Sequence, residues 1–121
     1  MKYRALFGLC VMTAGMIGCA PSAEELRKQA ISEFQLGRLE PAEKLFQQTL
    51  DAYAGDAVAY YYLGRIHYTQ GRYEQAFFDF QNAAAVDTSM ESARRWMLEA
   101  REKLGPAGPV LQIIPDREKS P

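Results

Sequence analysis

A chain of 121 residues that is 48% hydrophobic and 24% charged has room for one small domain and sits in the globular range rather than the disordered one. Its 14 basic and 15 acidic side chains give a formal net charge of −1, which argues against nucleic acid as a partner. With one histidine and two cysteines, no metal-ligand spacing and no glycine-rich phosphate loop occur, so neither a cofactor nor catalysis is expected.

Residues 1–18 begin with Lys2 and Arg4 and continue as an uncharged apolar run that ends at Gly18. Such a run is shorter than the roughly 20 apolar residues a membrane-spanning helix needs, so it reads as a secretory signal peptide. Its end, Met16-Ile17-Gly18-Cys19, resembles the lipobox of bacterial lipoproteins, with Met16 where leucine is usual. The resemblance implies cleavage before Cys19 and acylation of its thiol, palmitate included, which would anchor the chain to a membrane. The alternative is a general signal peptidase, which the small residues of Gly18-Cys19-Ala20 also suit. Cys10 lies within the signal, which leaves Cys19 as the one thiol of the mature chain. Each buried methylene contributes about 0.8 kcal/mol, so two or more acyl chains would make attachment effectively permanent. Loss of Lys2 and Arg4 leaves 12 basic against 15 acidic side chains, a net charge of about −3. Ala20 after the cysteine is not the aspartate linked to inner-membrane retention in that family. The expected location is therefore the cell envelope, on the outer membrane facing the periplasm if the organism has two membranes.

From residue 23 the pattern is helical. Helices are predicted over 23–36, 39–53, 57–70, 73–87 and 89–104. Ser22-Ala23-Glu24-Glu25 forms a capping box before the first, Asp56 caps the third, and Thr88-Ser89-Met90-Glu91 forms a second capping box before the fifth. Pro41 falls in the first turn of the second helix, where a missing N–H costs little. Gly37 and Gly71 end the first and third helices, and each is followed by a short turn. Arg94, Arg95, Arg101 and Lys103 are interleaved with Glu91, Glu99 and Glu102, and the four-residue spacings Glu91 to Arg95 and Glu99 to Lys103 suit ion pairs on a solvated helix.

An internal repeat ties these helices together. At an offset of 34, Ala30, Phe34, Gly37, Arg38, Leu39, Ala42 and Phe46 recur as Gly64, Tyr68, Gly71, Arg72, Tyr73, Ala76 and Phe80. Small residues at Ala30, Ala42, Gly64, Ala76 and Ala83 let backbones approach, while Phe34, Phe46, Tyr60, Leu63, Tyr73 and Phe80 fill the space beside them. Each unit is thus a helical hairpin, and the fold class is all-α.

Residues 57–90 resemble a tetratricopeptide repeat nearly throughout, through Tyr60, Leu63-Gly64, Gly71, Tyr73, Ala76, Phe80 and Ala83. His67 replaces a common tyrosine there and Thr88 the usual proline. Residues 23–56 match more weakly, and the helix over 89–104, with Trp96, Met97, Ala100 and Leu104 as its apolar side, resembles a capping helix. The expected organisation is a signal peptide at 1–18, a lipid-anchored linker at 19–22, a repeat domain at 23–104 and a flexible Pro/Gly tail at 105–121. The resemblance implies binding of a protein or peptide on a concave face lined by the first helix of each hairpin. Carried over residue by residue, that face holds Arg27, Ile31, Phe34, Tyr61, Arg65, Tyr68, Arg95 and Glu99. Ile31 and Tyr62 stand where carboxylate-clamping members have asparagine, so a C-terminal carboxylate is not the expected ligand.

The third and fourth helices are rich in aromatics. Tyr60, Tyr73 and Phe80 are expected in the core, and Tyr61, Tyr62, Tyr68 and Phe78 are expected partly exposed, as binding anchors or as rims over a small core. His67, without a base or nucleophile beside it in sequence, is expected to pack on its helix rather than to catalyse. The apolar segment Val110 to Ile114 either docks in a groove or is an idle end. Two and a half repeats fall short of the roughly three that stand alone, so self-association or stabilisation by a partner is expected. The expected function is a membrane-tethered adaptor of the cell envelope. Narrower alternatives are a pilot for a pilus or secretion machine and a regulatory subunit of an envelope enzyme such as a cell-wall hydrolase.

Overall fold

A computed structural model describes residues 20–108. The signal segment, Cys19 and the apolar tail segment 110–114 lie outside the described residues. The chain is all-α, as its periodicity predicts: α1 (Ala23–Gln35), α2 (Leu39–Ala52), α3 (Ala57–Thr69), α4 (Tyr73–Val86) and α5 (Glu91–Leu104), followed by a 3-10 turn at Gly105–Ala107. Among the described residues there is no strand and no helix long and apolar enough to cross a membrane. Two compact units result, the first ending at Gly55 and the second beginning at Asp56.

In the first unit α1 packs on α2. The capping box at its start is complete: the Glu25 N–H donates to Ser22 Oγ at 3.2 Å, and the Ser22 N–H donates to Glu25 Oε2 at 3.0 Å. Gly37 adopts φ +77°, and its hairpin turn closes with Gly37 N–H to the Phe34 carbonyl at 3.0 Å and Arg38 N–H to the Glu33 carbonyl at 2.9 Å. This paired closure satisfies two carbonyls that the end of α1 would otherwise leave open. Ala30, Ala42, Phe46 and Thr49 are fully buried, and Thr49 Oγ1 donates back to the Leu45 carbonyl at 2.8 Å.

The second unit adds a helix: α3 packs on α4, and α4 on α5. Asp56 caps α3 through the Ala59 N–H at 3.0 Å. The turn at Gly71 repeats the first one, with φ +77° and bonds from Gly71 and Arg72 to the Tyr68 and His67 carbonyls at 3.0 and 2.8 Å. Gly64 explains the closeness of α3 and α4, because a Cβ there would lie 2.7 Å from a ring atom of Phe80. Phe80 and its neighbour Phe77 are fully buried with Ala76 and Ala100.

Three expectations need correction. Tyr60 and Tyr73 lie half-buried rather than in the core, whereas Phe77 and Ile66 are fully buried. The reason at Phe77 is α5, whose Ala100 shares its buried cluster. The fifth helix begins at Glu91 rather than 89, and its first residues form no capping box. Asp87 takes Ser89 instead, accepting its N–H at 3.0 Å and its hydroxyl at 2.6 Å in a local turn. Glu91 pairs one residue earlier than its four-residue spacing suggests, with Arg94 at 3.1 Å. After α5 the described residues run through the 3-10 turn to Gly108.

Candidate functional site

In the second unit Tyr61, Arg65 and Tyr68 of α3 come together with Trp96 of α5. Tyr61, Arg65 and Tyr68 occupy i, i+4 and i+7 of α3, a spacing that puts them on a single face. Below them Phe80 provides a floor, with its ring 5.9 Å from that of Tyr61 and stacked at 6.0 Å and 21° on Trp96 of α5. Trp96 in turn meets Tyr68 edge to face at 5.1 Å.

Arg65 joins the two helices. Its guanidinium lies 4.6 Å from the Trp96 ring centroid and donates to the Tyr61 hydroxyl at 3.2 Å. A cation over an indole face contributes about 0.5–1 kcal/mol when exposed and more when water is excluded, so the half-buried stack positions Arg65 rather than merely decorating it. Tyr68, Arg95, Trp96 and Glu99 then line a recess of about 300 Å³. Its walls offer two aromatic faces, a guanidinium and a carboxylate, which suits a peptide side chain with an apolar stem and a polar end.

Of the residues chosen from sequence, the second unit therefore brings together Tyr61, Arg65, Tyr68, Arg95 and Glu99. In the first unit Arg27, Ile31 and Phe34 share a face of α1 at i, i+4 and i+7, all half-buried. Trp96 was assigned by periodicity to the apolar side of its helix and is the member of the site that sequence reasoning missed. Its adjacency to Arg95 and its three-residue spacing to Glu99 are the available signal. Tyr62 and Phe78 are half-buried and exposed respectively, as expected, and Phe78 leans edge-on against Phe77 at 5.5 Å.

A wider recess of about 630 Å³ in the first unit is lined by Gln29, Ser32, Glu33, Pro41, Lys44 and Leu45. It contains no aromatic anchor. The smaller recess is the better binding site because Trp, Tyr and Arg side chains supply most of the energy of protein contacts.

His67 lies apart from these features in its chemistry. It is 7% exposed, and its Nδ1 meets Asp79 Oδ2 of α4 at 2.5 Å. The pair joins α3 to α4 inside the hairpin. Among the described residues no group of three or more His, Cys, Asp or Glu side chains is arranged to hold a metal ion.

Residues 27–109 match the family model described as Tetratricopeptide repeat. No curated protein matches the chain.

Proposed function

Because the chain belongs to the tetratricopeptide-repeat family, whose repeats mediate protein–protein interaction, we propose that it is a membrane-tethered adaptor of the bacterial cell envelope that acts by recruitment rather than catalysis. The observation that carries this reading is the recess around Trp96, where Arg65 is stacked in place and Tyr68, Arg95 and Glu99 complete the wall. Half-buried aromatic and arginine side chains of this kind are what a protein partner's side chain engages. The one histidine supports the non-catalytic part, since its imidazole is held by Asp79 inside the hairpin. Tethering rests on the apolar run of residues 1–18 and the Met16-Ile17-Gly18-Cys19 ending, and the outer-membrane location on Ala20.

Two experiments test the two halves separately. A photocrosslinking side chain at position 95 in intact cells should capture a discrete envelope protein, and Trp96→Ala with Arg65→Ala should abolish that capture while the purified protein stays helical. Undiminished capture by the double variant removes the recess from the reading. Cells fed labelled palmitate should label the wild-type chain and not Cys19→Ser, which should also leave the membrane fraction. A labelled or membrane-retained Cys19→Ser chain removes the anchor.

A further inference from the structure

The 34-residue repeat does not stop with α5. Gly37 and Gly71 have a third counterpart in Gly105, which takes φ +71° beside their +77°. Its N–H bonds the Glu102 carbonyl, as Gly37 and Gly71 bond theirs, but Pro106 follows and has no N–H for the second closing bond. The chain has begun a third hairpin turn without completing it. At the same offset Ala76, Phe77 and Phe80, all buried, correspond to Val110, Leu111 and Ile114.

The other half of that hairpin is α5. Ala30, Gly64 and Leu98 occupy one repeat position, the first two buried and Leu98 53% exposed. On α3 the equivalent face is covered by Phe80 at Gly64 and by Asp79 at His67. On α5 it consists of the exposed Leu98 and the half-buried Arg101 and Leu104, and among the described residues only the short 3-10 turn at Gly105–Ala107 follows, with no α-helix to cover Leu98.

We infer that this face of α5 is the docking surface for the chain's own segment 110–114, laid back along the helix as a strap. Gly108 sets the direction: a Cβ built there would stand 3.0 Å from Leu104 Cβ and 3.7 Å from the Arg101 carbonyl, so the chain has already turned back onto the last turn of α5. The six residues from there to Ile114 reach about 20 Å when extended, and fourteen helical residues measure about 21 Å, so the strap spans the face. Leu98 fills the place where Gly64 admits a helix, and Pro109 and Pro115 bracket the segment, so an extended strap fits where a second helix does not. The inference is independent of the recess and of the anchor.

The test uses the full chain with Cys10→Ser and Cys19→Ser, so that introduced thiols alone react. Leu98→Cys with Leu111→Cys should oxidise to a disulfide within one chain, while Leu98→Cys with Ser120→Cys should not. Ending the chain after Gly108 should lower Tm by about 5 °C or more, and should have no effect in a Leu98→Lys background. Leu111→Asp in the full chain should reproduce the loss. An unchanged Tm on truncation, an equal loss in both backgrounds, or a disulfide that joins two copies with concentration-dependent melting overturns the strap. The last of these assigns the face to a second copy.

Discussion

The two hairpins share a backbone plan and differ in what fills it. Their turns are the same to within the resolution of their hydrogen bonds, with Gly37 and Gly71 at identical φ and the same pair of closing contacts. The repeat position of Gly64, packed against Phe80, is held in the first hairpin by the fully buried Ala30, and the position of the buried His67 is taken there by Glu33, which pairs with Arg38 at 3.5 Å. The comparison teaches that the repeat specifies a frame of small residues, large residues and one left-handed turn, to which the site adds its own side chains: Tyr68 keeps the frame position of Phe34, whereas Tyr61 and Arg65 stand where the first hairpin has Arg27 and Ile31. Tyr61, Arg65, Tyr68 and Trp96 lie in the second unit alone.

The sharpest way to break the comparison is to remove the same ring from both frames. Phe46 and Phe80 are each fully buried at equivalent positions, and Phe80→Ala should cost about 3–5 kcal/mol in chemical denaturation. Only Phe80→Ala should also shift the emission of Trp96, the one tryptophan, because Phe80 stacks on it. If Phe46→Ala moves that emission as much, the aromatic floor is not local to the second unit.

The His67–Asp79 pair separates the hairpins next. Asp79→Ala strips a buried imidazole of its carboxylate and should cost about 1–3 kcal/mol, and replacing both by leucine should recover much of the loss, since an apolar pair leaves no polar group unmet. A loss that the double replacement does not recover would mean that packing, not pairing, is what the site demands. Smaller still is Gly64→Ala. It gains up to about 1 kcal/mol of helix propensity but forces a methyl into the Phe80 ring, for a net loss of about 1–2 kcal/mol by thermal melting. Ala30 already carries that methyl in the first hairpin, so a neutral Gly64→Ala would show that the two interfaces are equally wide.

What was legible in the sequence follows the range of the interactions. Caps at Ser22 and Asp56 reach three residues along the chain, and both form as read. The turn glycines are equally local. At α5 the same rule misled: Thr88 and Glu91 have capping spacing, but the helix starts at Glu91 behind Met90, and Asp87 and Ser89 close a turn of their own before it. The stack of Arg65 on Trp96 and the bond of His67 to Asp79 join different helices, and no spacing along one helix announces a contact across two. Phe77 was hidden for the same reason, since its burial depends on α5 arriving over α4.

The smallest effect lies at that misread entry to α5, where two helices of the second unit differ in how they begin. Asp56 enters α3 as a buried cap, whereas Asp87 precedes α5 on the surface. The Ser89 hydroxyl, and after it the Ser89 N–H, hold the Asp87 carboxyl below the usual carboxylate range against a slight opposing effect of desolvation. A folded-state value below the unfolded one means the turn is favoured at neutral pH and loses that support as the pH falls through the folded-state value. Following the Asp87 side chain by NMR from neutral pH into acid should show it titrating low in the wild type. In Ser89→Ala it should move back toward the ordinary range but not reach it, because the backbone N–H still donates. An Asp87 that titrates identically in both would mean that the hydroxyl contributes nothing, and that α5 is placed by its packing on α4 alone.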